Sequence, residues 1–153
     1  MVVVPRAGFI SLFAGLLVLS NPVFAGPPED LLRSLNAYMD EEPIENYLLQ
    51  PDVLPDDPRD EFFVVVDVRT REEVAQGQLP GAIHIPYYRL GELLQLLADD
   101  RDTPVLLYCS RTGMRSTHAM MALRMLGYHN TWYLVGGIDR WAEEGRPVAP
   151  GAP

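Results

Sequence analysis

The sequence predicts one α/β domain with a mainly parallel central sheet flanked by helices. The first observation is a continuous β-type run at residues 61–66, which is typical of a strand buried on both faces. A second apolar run, at residues 105–108, is followed by a helical pattern at residues 115–126. Strand-like and helix-like segments alternate along the rest of the chain, and this alternation is the third observation.

Turn residues separate the predicted elements and set their order. Strands are predicted at residues 61–66, 82–85, 105–108 and 131–135. Helices are predicted at residues 29–39, just after Thr70 as a cap, at 90–98, at 115–126 and around Trp141. A loop rich in Pro and Asp is predicted at residues 51–60. The helix at 115–126 is expected to turn five apolar side chains inward: Ala119, Met120, Ala122, Leu123 and Leu126.

Residues 1–25 have the composition of a secretory signal peptide. Arg6 is the only charged residue there, residues 7–19 are uncharged and mostly apolar, and Val23-Phe24-Ala25 forms a cleavage site before Gly26. We therefore expect an exported protein, periplasmic in a bacterium, without membrane contact after cleavage. The alternative is an uncleaved anchor, because the apolar run is nearly long enough to span a bilayer.

Acidic residues are concentrated in the segment that follows the predicted signal peptide. The whole chain has a formal net charge of −9, and residues 26–61 hold 11 carboxylates but only two arginines. An acidic chain without a basic aromatic stripe does not suggest nucleic-acid binding, so we expect no such partner. We expect residues 26–46 to form an acidic helical N-terminal arm and residues 47–150 to form the domain itself.

Cys109 is the only cysteine, and it lies where the apolar run at residues 105–108 gives way to a polar loop. A single cysteine forms no internal disulfide, and an exposed thiol is open to oxidation in an oxidising compartment. Cys109 is therefore either buried and inert or used in chemistry. The predicted topology favours use, because sites form at the carboxyl ends of parallel strands. The free N–H groups of the following helix would also stabilise a thiolate.

Three segments of the sequence resemble the rhodanese family. They are DVRTREEVAQGQLPGAIHIP (67–86), PVLLYC (104–109) with the GMRS that follows, and GYHNTWYLVGGIDRWAEEGRPV (127–148). Their order and spacing are similar to those of the family over residues 47–148. The resemblance implies a rhodanese-like fold for the domain at residues 47–150 and leaves the arm outside it.

The resemblance implies sulfur transfer without a cofactor. Cys109 would take a sulfane sulfur from a small anionic donor such as thiosulfate, and would pass it from a persulfide to a small-molecule or protein thiol. The backbone amides that would surround the terminal sulfur belong to Ser110, Arg111, Thr112, Gly113, Met114 and Arg115. Arg111 and Arg115 would add positive potential. Arg115 either faces the anion or pairs with a carboxylate as a loop brace, and we expect a mixed role, because an arginine this close to the loop amides acts on the same potential either way.

The loop departs from the common family pattern in its length. Rhodaneses commonly place four residues between the cysteine and an arginine, whereas five separate Cys109 from Arg115. That spacing resembles the rhodanese-like phosphatases and arsenate reductases, which bind larger tetrahedral oxyanions. An oxyanion-handling enzyme is therefore one alternative, and a binding or redox module without turnover is another.

Further candidate residues surround the predicted site. Asp67 and Arg69 follow a predicted strand and are expected at the same sheet edge as Cys109. Arg69 is a candidate for substrate binding with Asp67 holding it, and the alternative is a strand-end ion pair that braces the loop. Ser116 is expected to support the thiolate or to cap the helix. His84 is expected to be a core or strand-edge residue, and no metal site is expected because the histidines and the cysteine lack ligand spacing.

Overall fold

A five-stranded parallel sheet forms the centre of the protein. The computed structural model describes residues 28–40 and 44–151. Its strands are β1 (Leu48–Leu49), β2 (Val64–Asp67), β3 (Ile83–His84), β4 (Val105–Tyr108) and β5 (Thr131–Leu134). They are all parallel and lie in the order β1-β5-β4-β2-β3. The α/β class with a mainly parallel sheet is therefore confirmed.

Helices connect the strands. The α-helices are α1 (Glu29–Asp40), α2 (Arg71–Val74), α3 (Leu90–Leu97), α4 (Met114–Met125) and α5 (Gly137–Glu143). Short 3₁₀ helices are found at Ile44–Tyr47, Pro51–Val53, Pro58–Glu61 and Tyr87–Arg89. Among the described residues, no helix is both long enough and apolar enough to cross a membrane.

The two central strands are buried on both of their faces. Val66 and Leu107 belong to an apolar cluster with residues of α3 and α4, whereas Val65 and Leu106 belong to a second cluster with residues of α5. Neighbouring side chains of a strand point to opposite faces of the sheet. Since both faces are covered, the sequence of each strand is continuously apolar instead of alternating.

The strand predicted at residues 61–66 begins later than the sequence suggested. Pro58–Glu61 is a 3₁₀ helix, and Phe62 ends it in the left-handed region with φ of 65°. The Phe62 side chain is 86% exposed, although the apolar run suggested burial. Strand β2 therefore starts at Val64, because a residue with left-handed φ interrupts extended backbone.

Helix α4 buries a different side chain from those the sequence suggested. Leu126 is 42% exposed because it lies at the C-cap, where the helix already ends, whereas Arg124 is only 3% exposed. The Arg124 guanidinium carbon lies 3.4 Å from the centroid of the Tyr47 ring. Arg124 also donates a hydrogen bond to the Thr131 carbonyl, so its charged head is accommodated inside the protein.

The helix predicted at residues 29–39 coincides with α1, which lies against α4. The signal peptide predicted at residues 1–25 lies outside the described residues, as do residues 26, 27 and 41–43 of the predicted arm.

Candidate active site

The parallel register brings the segments after the central strands to one edge of the sheet. Asp67 at the end of β2 is aligned with Tyr108 at the end of β4. Cys109 follows immediately and is 1% exposed. Its carbonyl oxygen accepts a hydrogen bond of 3.0 Å from the Ile138 N–H of α5. The loop from Cys109 then reaches α4, which begins at Met114.

The sulfur of Cys109 lies beside a serine hydroxyl. Cys109 Sγ is 3.4 Å from Ser116 Oγ and 3.5 Å from the Ser110 carbonyl oxygen. Ser116 Oγ also donates a hydrogen bond of 2.9 Å to the Gly113 carbonyl. Ser116 lies in the first turn of α4, where backbone N–H groups have no acceptor within the helix. The surroundings of Sγ thus offer a hydroxyl and a helix start to a negative sulfur.

Two of the six amides that were expected to surround the sulfur are engaged elsewhere. The Arg111 N–H donates to Asp139 Oδ2 at 2.9 Å, and the Gly113 N–H donates to the Ser110 carbonyl at 3.1 Å. Met114 and Arg115 lie in the first turn of α4, whose amides are free of intrahelical bonds. The structure therefore points to the start of α4 as the main source of amide donors.

Arg115 is held by a carboxylate that sequence analysis did not connect with it. Its guanidinium forms two hydrogen bonds with Glu73, of 2.5 and 2.7 Å. Ser110 Oγ completes the network, because it donates to Glu73 Oε1 at 2.9 Å and lies 3.0 Å from Arg115 Nη2. These contacts of Arg115 are those expected of a loop brace.

The network changes the proton affinities of both ionic partners. The hydrogen bond from Arg115 holds the pKa of Glu73 far below its usual range, against the opposing effect of partial burial. The hydrogen bond to Glu73 raises the pKa of Arg115, and the nearby Cys109 sulfur contributes in the same direction. Both partners of the network are therefore held in their charged forms.

Arg111 lies at the exposed rim of the loop. Its guanidinium pairs with Glu143 of α5, and this hydrogen bond raises the pKa of Arg111. Thr112 and Met114 are also exposed, with Met114 at 62%. Both loop arginines are thus paired with carboxylates, which lowers the positive potential that they were expected to give to the site.

Arg69 lies in a buried ion pair. Its Nε and Nη2 bind the Asp67 carboxylate at distances of 2.6–3.1 Å, while Nη1 and Nη2 donate to the carbonyls of Glu73 and Gly77. Asp67 is fully buried and Arg69 is 5% exposed. The placement matches the strand-end ion pair rather than substrate binding, because the guanidinium is already engaged by fixed protein acceptors. His84 Nε2 lies 2.9 Å from the Arg69 carbonyl, at the sheet edge.

The segment that contains this geometry matches a known protein family. The family model of the rhodanese-like domain matches residues 50–144, which include both central strands and the whole cysteine loop. The chain belongs to the rhodanese-like domain family. The family resemblance seen in the sequence is therefore confirmed.

Relatives of this rhodanese-like chain include an enzyme and several solved structures. A sulfurtransferase of Allochromatium vinosum is 39% identical over 88 residues, which cover 58% of this chain and 79% of that protein. The crystal structure of a rhodanese-related protein from Thermoplasma volcanium is 33% identical, with a TM-score of 0.57 over 66% of this chain and 95% of that one. A solution structure from Helicobacter pylori has a TM-score of 0.59 at 28% identity, over 71% of this chain and 94% of that one.

The rhodanese-like site contains acidic residues that sequence analysis did not assign to it. Glu73, Asp139 and Glu143 all contact the cysteine loop or its arginines. For Glu73 the sequence contains one local signal, because Thr70 and Glu73 have the spacing of a capping box. The structure contains that capping box. Asp139 and Glu143 had no such signal, because their contacts cross 28 and 32 residues of sequence.

Gly137, the first residue of α5, packs against the cysteine loop of the rhodanese-like domain. A Cβ atom on Gly137 would lie 2.1 Å from the Cys109 carbonyl oxygen, and its φ is 55°. Both conditions require glycine. Gly137 therefore allows α5 to pack directly on the cysteine loop.

Within the part of the chain that the structure describes, no group of three or more His, Cys, Asp or Glu side chains is placed to hold a metal ion.

Proposed function

We propose that this chain is a sulfurtransferase of the thiosulfate sulfurtransferase type, which carries a sulfane sulfur on Cys109. The observation that carries the proposal is the position of the single thiol. Cys109 follows a central strand, and its Sγ lies 3.4 Å from the Ser116 hydroxyl at the start of α4. The relative in Allochromatium vinosum that is named a sulfurtransferase supports the same class of reaction.

The first half-reaction loads the cysteine. The Cys109 thiolate attacks the outer sulfur of thiosulfate, a new S–S bond forms, and the S–S bond of the donor breaks. Sulfite leaves with the electron pair of the broken bond, and the persulfide retains one negative charge. The Ser116 hydroxyl and the first-turn amides of α4 support the proposal, because they are donors suited to that charge.

The second half-reaction unloads the cysteine. A thiolate or cyanide attacks the terminal sulfur, the persulfide bond breaks, and Cys109 leaves as a thiolate. No cofactor takes part in this cycle. Because Cys109 is the only cysteine, the sulfur has no second thiol within the chain to receive it. The acceptor is therefore a small molecule or another protein.

The proposed cellular site of this reaction is the periplasm. The apolar run at residues 7–19 and the cleavage site ending at Ala25 support export of the chain, followed by removal of residues 1–25. A small anionic donor and a thiol acceptor would then be met outside the cytoplasm.

Mass spectrometry of the protein after incubation with thiosulfate tests the proposal. We expect the wild type to gain the mass of one sulfur atom, and the Cys109→Ser variant to gain none. Subsequent addition of cyanide should remove the added mass and release thiocyanate. A wild-type protein that shows a reactive, reduced thiol but no added sulfur would contradict the proposal.

The spacing of five residues between Cys109 and Arg115 keeps an oxyanion-handling enzyme as a second candidate. Turnover of arsenate or an aryl phosphate faster than thiosulfate would favour that candidate over sulfur transfer. Reaction with none of these compounds would leave a binding or redox module.

A further inference from the structure

Asp139 places a negative charge on the loop that is proposed to receive an anion. Its Oδ2 accepts the Arg111 N–H at 2.9 Å, two residues from Cys109. Arg111 belongs to the loop whose amides were expected to face the donor. The Asp139 carboxylate thus accepts the hydrogen bond that the Arg111 N–H could otherwise donate to a bound anion.

The position of Asp139 is fixed by its neighbours in α5. Gly137 packs against the Cys109 and Ser110 carbonyls, and Ile138 N–H binds the Cys109 carbonyl at 3.0 Å. The Asp139 side chain is half-buried. The carboxylate is therefore held beside the loop by the same contacts that position the cysteine, and it does not depend on a mobile side chain reaching in from solvent.

The other charges of the loop do not compensate for Asp139. Arg111 pairs with Glu143, and Arg115 pairs with Glu73. The two positive charges of the loop arginines are therefore outnumbered by the three negative charges of Glu73, Asp139 and Glu143. An approaching anion meets a net negative set of charges at short range, and its repulsion grows in proportion to its own charge.

We propose that Asp139 sets the donor specificity of Cys109 by charge, disfavouring dianionic donors such as thiosulfate relative to monoanionic ones such as methanethiosulfonate. The inference rests on the proposed function, since it concerns the donor of that reaction. Both donors load Cys109 in the same way. Attack on the outer sulfur of methanethiosulfonate forms the persulfide and releases methanesulfinate with the electron pair, as sulfite is released from thiosulfate.

Asp139→Asn is the informative variant, because the amide oxygen can still accept the Arg111 N–H while the charge is lost. The repulsion that it removes is proportional to donor charge, so its effect on a dianion should be roughly the square of that on a monoanion. We expect kcat/KM to rise about fourfold for thiosulfate and about twofold for methanethiosulfonate at low salt. The difference between the donors should shrink as salt is added.

Glu144→Gln is the matched control. Glu144 lies at the C-cap of the same helix, and it pairs with Arg140 at 2.8 Å. The Glu144→Gln variant removes one negative charge from α5, as Asp139→Asn does, at a residue that pairs with Arg140 instead of the cysteine loop. We expect it to leave the ratio of the two kcat/KM values unchanged. An unchanged ratio in Asp139→Asn, or an equal change in Glu144→Gln, would overturn the inference.

A binding measurement separates failure of this inference from failure of the proposed function. If neither donor loads Cys109, sulfur transfer itself is wrong. Protection of Cys109 by sulfate against alkylation with iodoacetamide needs no turnover and still reports on Asp139. We expect Asp139→Asn to be protected at several-fold lower sulfate concentration than the wild type. Equal protection of the two proteins would overturn the role of Asp139 in either case.

Discussion

Ser116 has one hydroxyl proton and two neighbouring acceptors. With Cys109 as a thiol, the proton of Ser116 is donated to the Gly113 carbonyl at 2.9 Å. The S–H group can then donate to Ser116 Oγ, 3.4 Å away, or to the Ser110 carbonyl at 3.5 Å. Once the thiol has lost its proton, the Ser116 hydroxyl can turn to the sulfur instead. Ser116 thus offers a hydrogen bond to the charged form of Cys109, and hydrogen bonds to charged groups are among the stronger ones.

We expect Ser116→Ala to slow alkylation of Cys109 by iodoacetamide about tenfold at pH 7, since loss of a hydrogen bond to a charged group costs about 1.5 kcal/mol. Thr112→Ala removes an exposed hydroxyl from the same loop and should leave the rate unchanged. Identical alkylation rates for wild type and Ser116→Ala would show that Ser116 serves packing alone.

At the scale of elements, Glu73 links α2 to the start of α4. It closes the capping box with Thr70 and also binds Arg115, 42 residues away in the sequence. Its pKa in the folded protein lies below the value of a free carboxyl group, mainly because Arg115 donates to it. A lowered folded-state pKa means that the pair stabilises the fold above the unfolded-state pKa of about 4.3 and that this stability is lost as the pH falls below it.

We expect Glu73→Gln to lower the free energy of unfolding by about 1 kcal/mol at pH 7, a value kept small because the Glu73 side chain is 32% exposed and solvent screens the pair. The difference from wild type should narrow below about pH 4.3. Urea titrations at several pH values measure it. The exposed neighbour Glu72, changed to Gln, is the control and should show a smaller loss. A pH-independent difference would rule out the charge as its source.

The elements that sequence analysis predicted well are those with a strong local signal. Strand β4 was predicted with its observed bounds, because a run such as Val105–Tyr108 reports burial on both faces directly. The start of β2 was predicted too early, because Phe62 is apolar and was counted as part of the strand although it is the C-cap of a 3₁₀ helix. Hydropathy depends on the side chain alone and does not report a left-handed backbone. The partners of the loop arginines were missed since their contacts join distant parts of the sequence through the sheet topology.

At the scale of the whole molecule, we expect residues 1–25 to direct the protein to the periplasm. We expect protein isolated from the periplasmic fraction of a bacterial host to begin at Gly26, as N-terminal sequencing would show. We expect Ala25→Arg to disrupt the predicted small-residue cleavage site and to leave the longer chain. An intact wild-type chain beginning at Met1 in the membrane fraction would instead identify residues 1–25 as an anchor.

The contact of Gly137 with the Cys109 carbonyl has a consequence for how the protein opens. Amides that are released only together with a larger cooperative unit exchange their hydrogens slowly. Ile138 N–H is bonded to the carbonyl of Cys109, so the loop cannot open locally without releasing the first turn of α5. The amides on both sides of that contact should therefore exchange as one unit. The loop that carries Cys109 should therefore open only together with the first turn of α5.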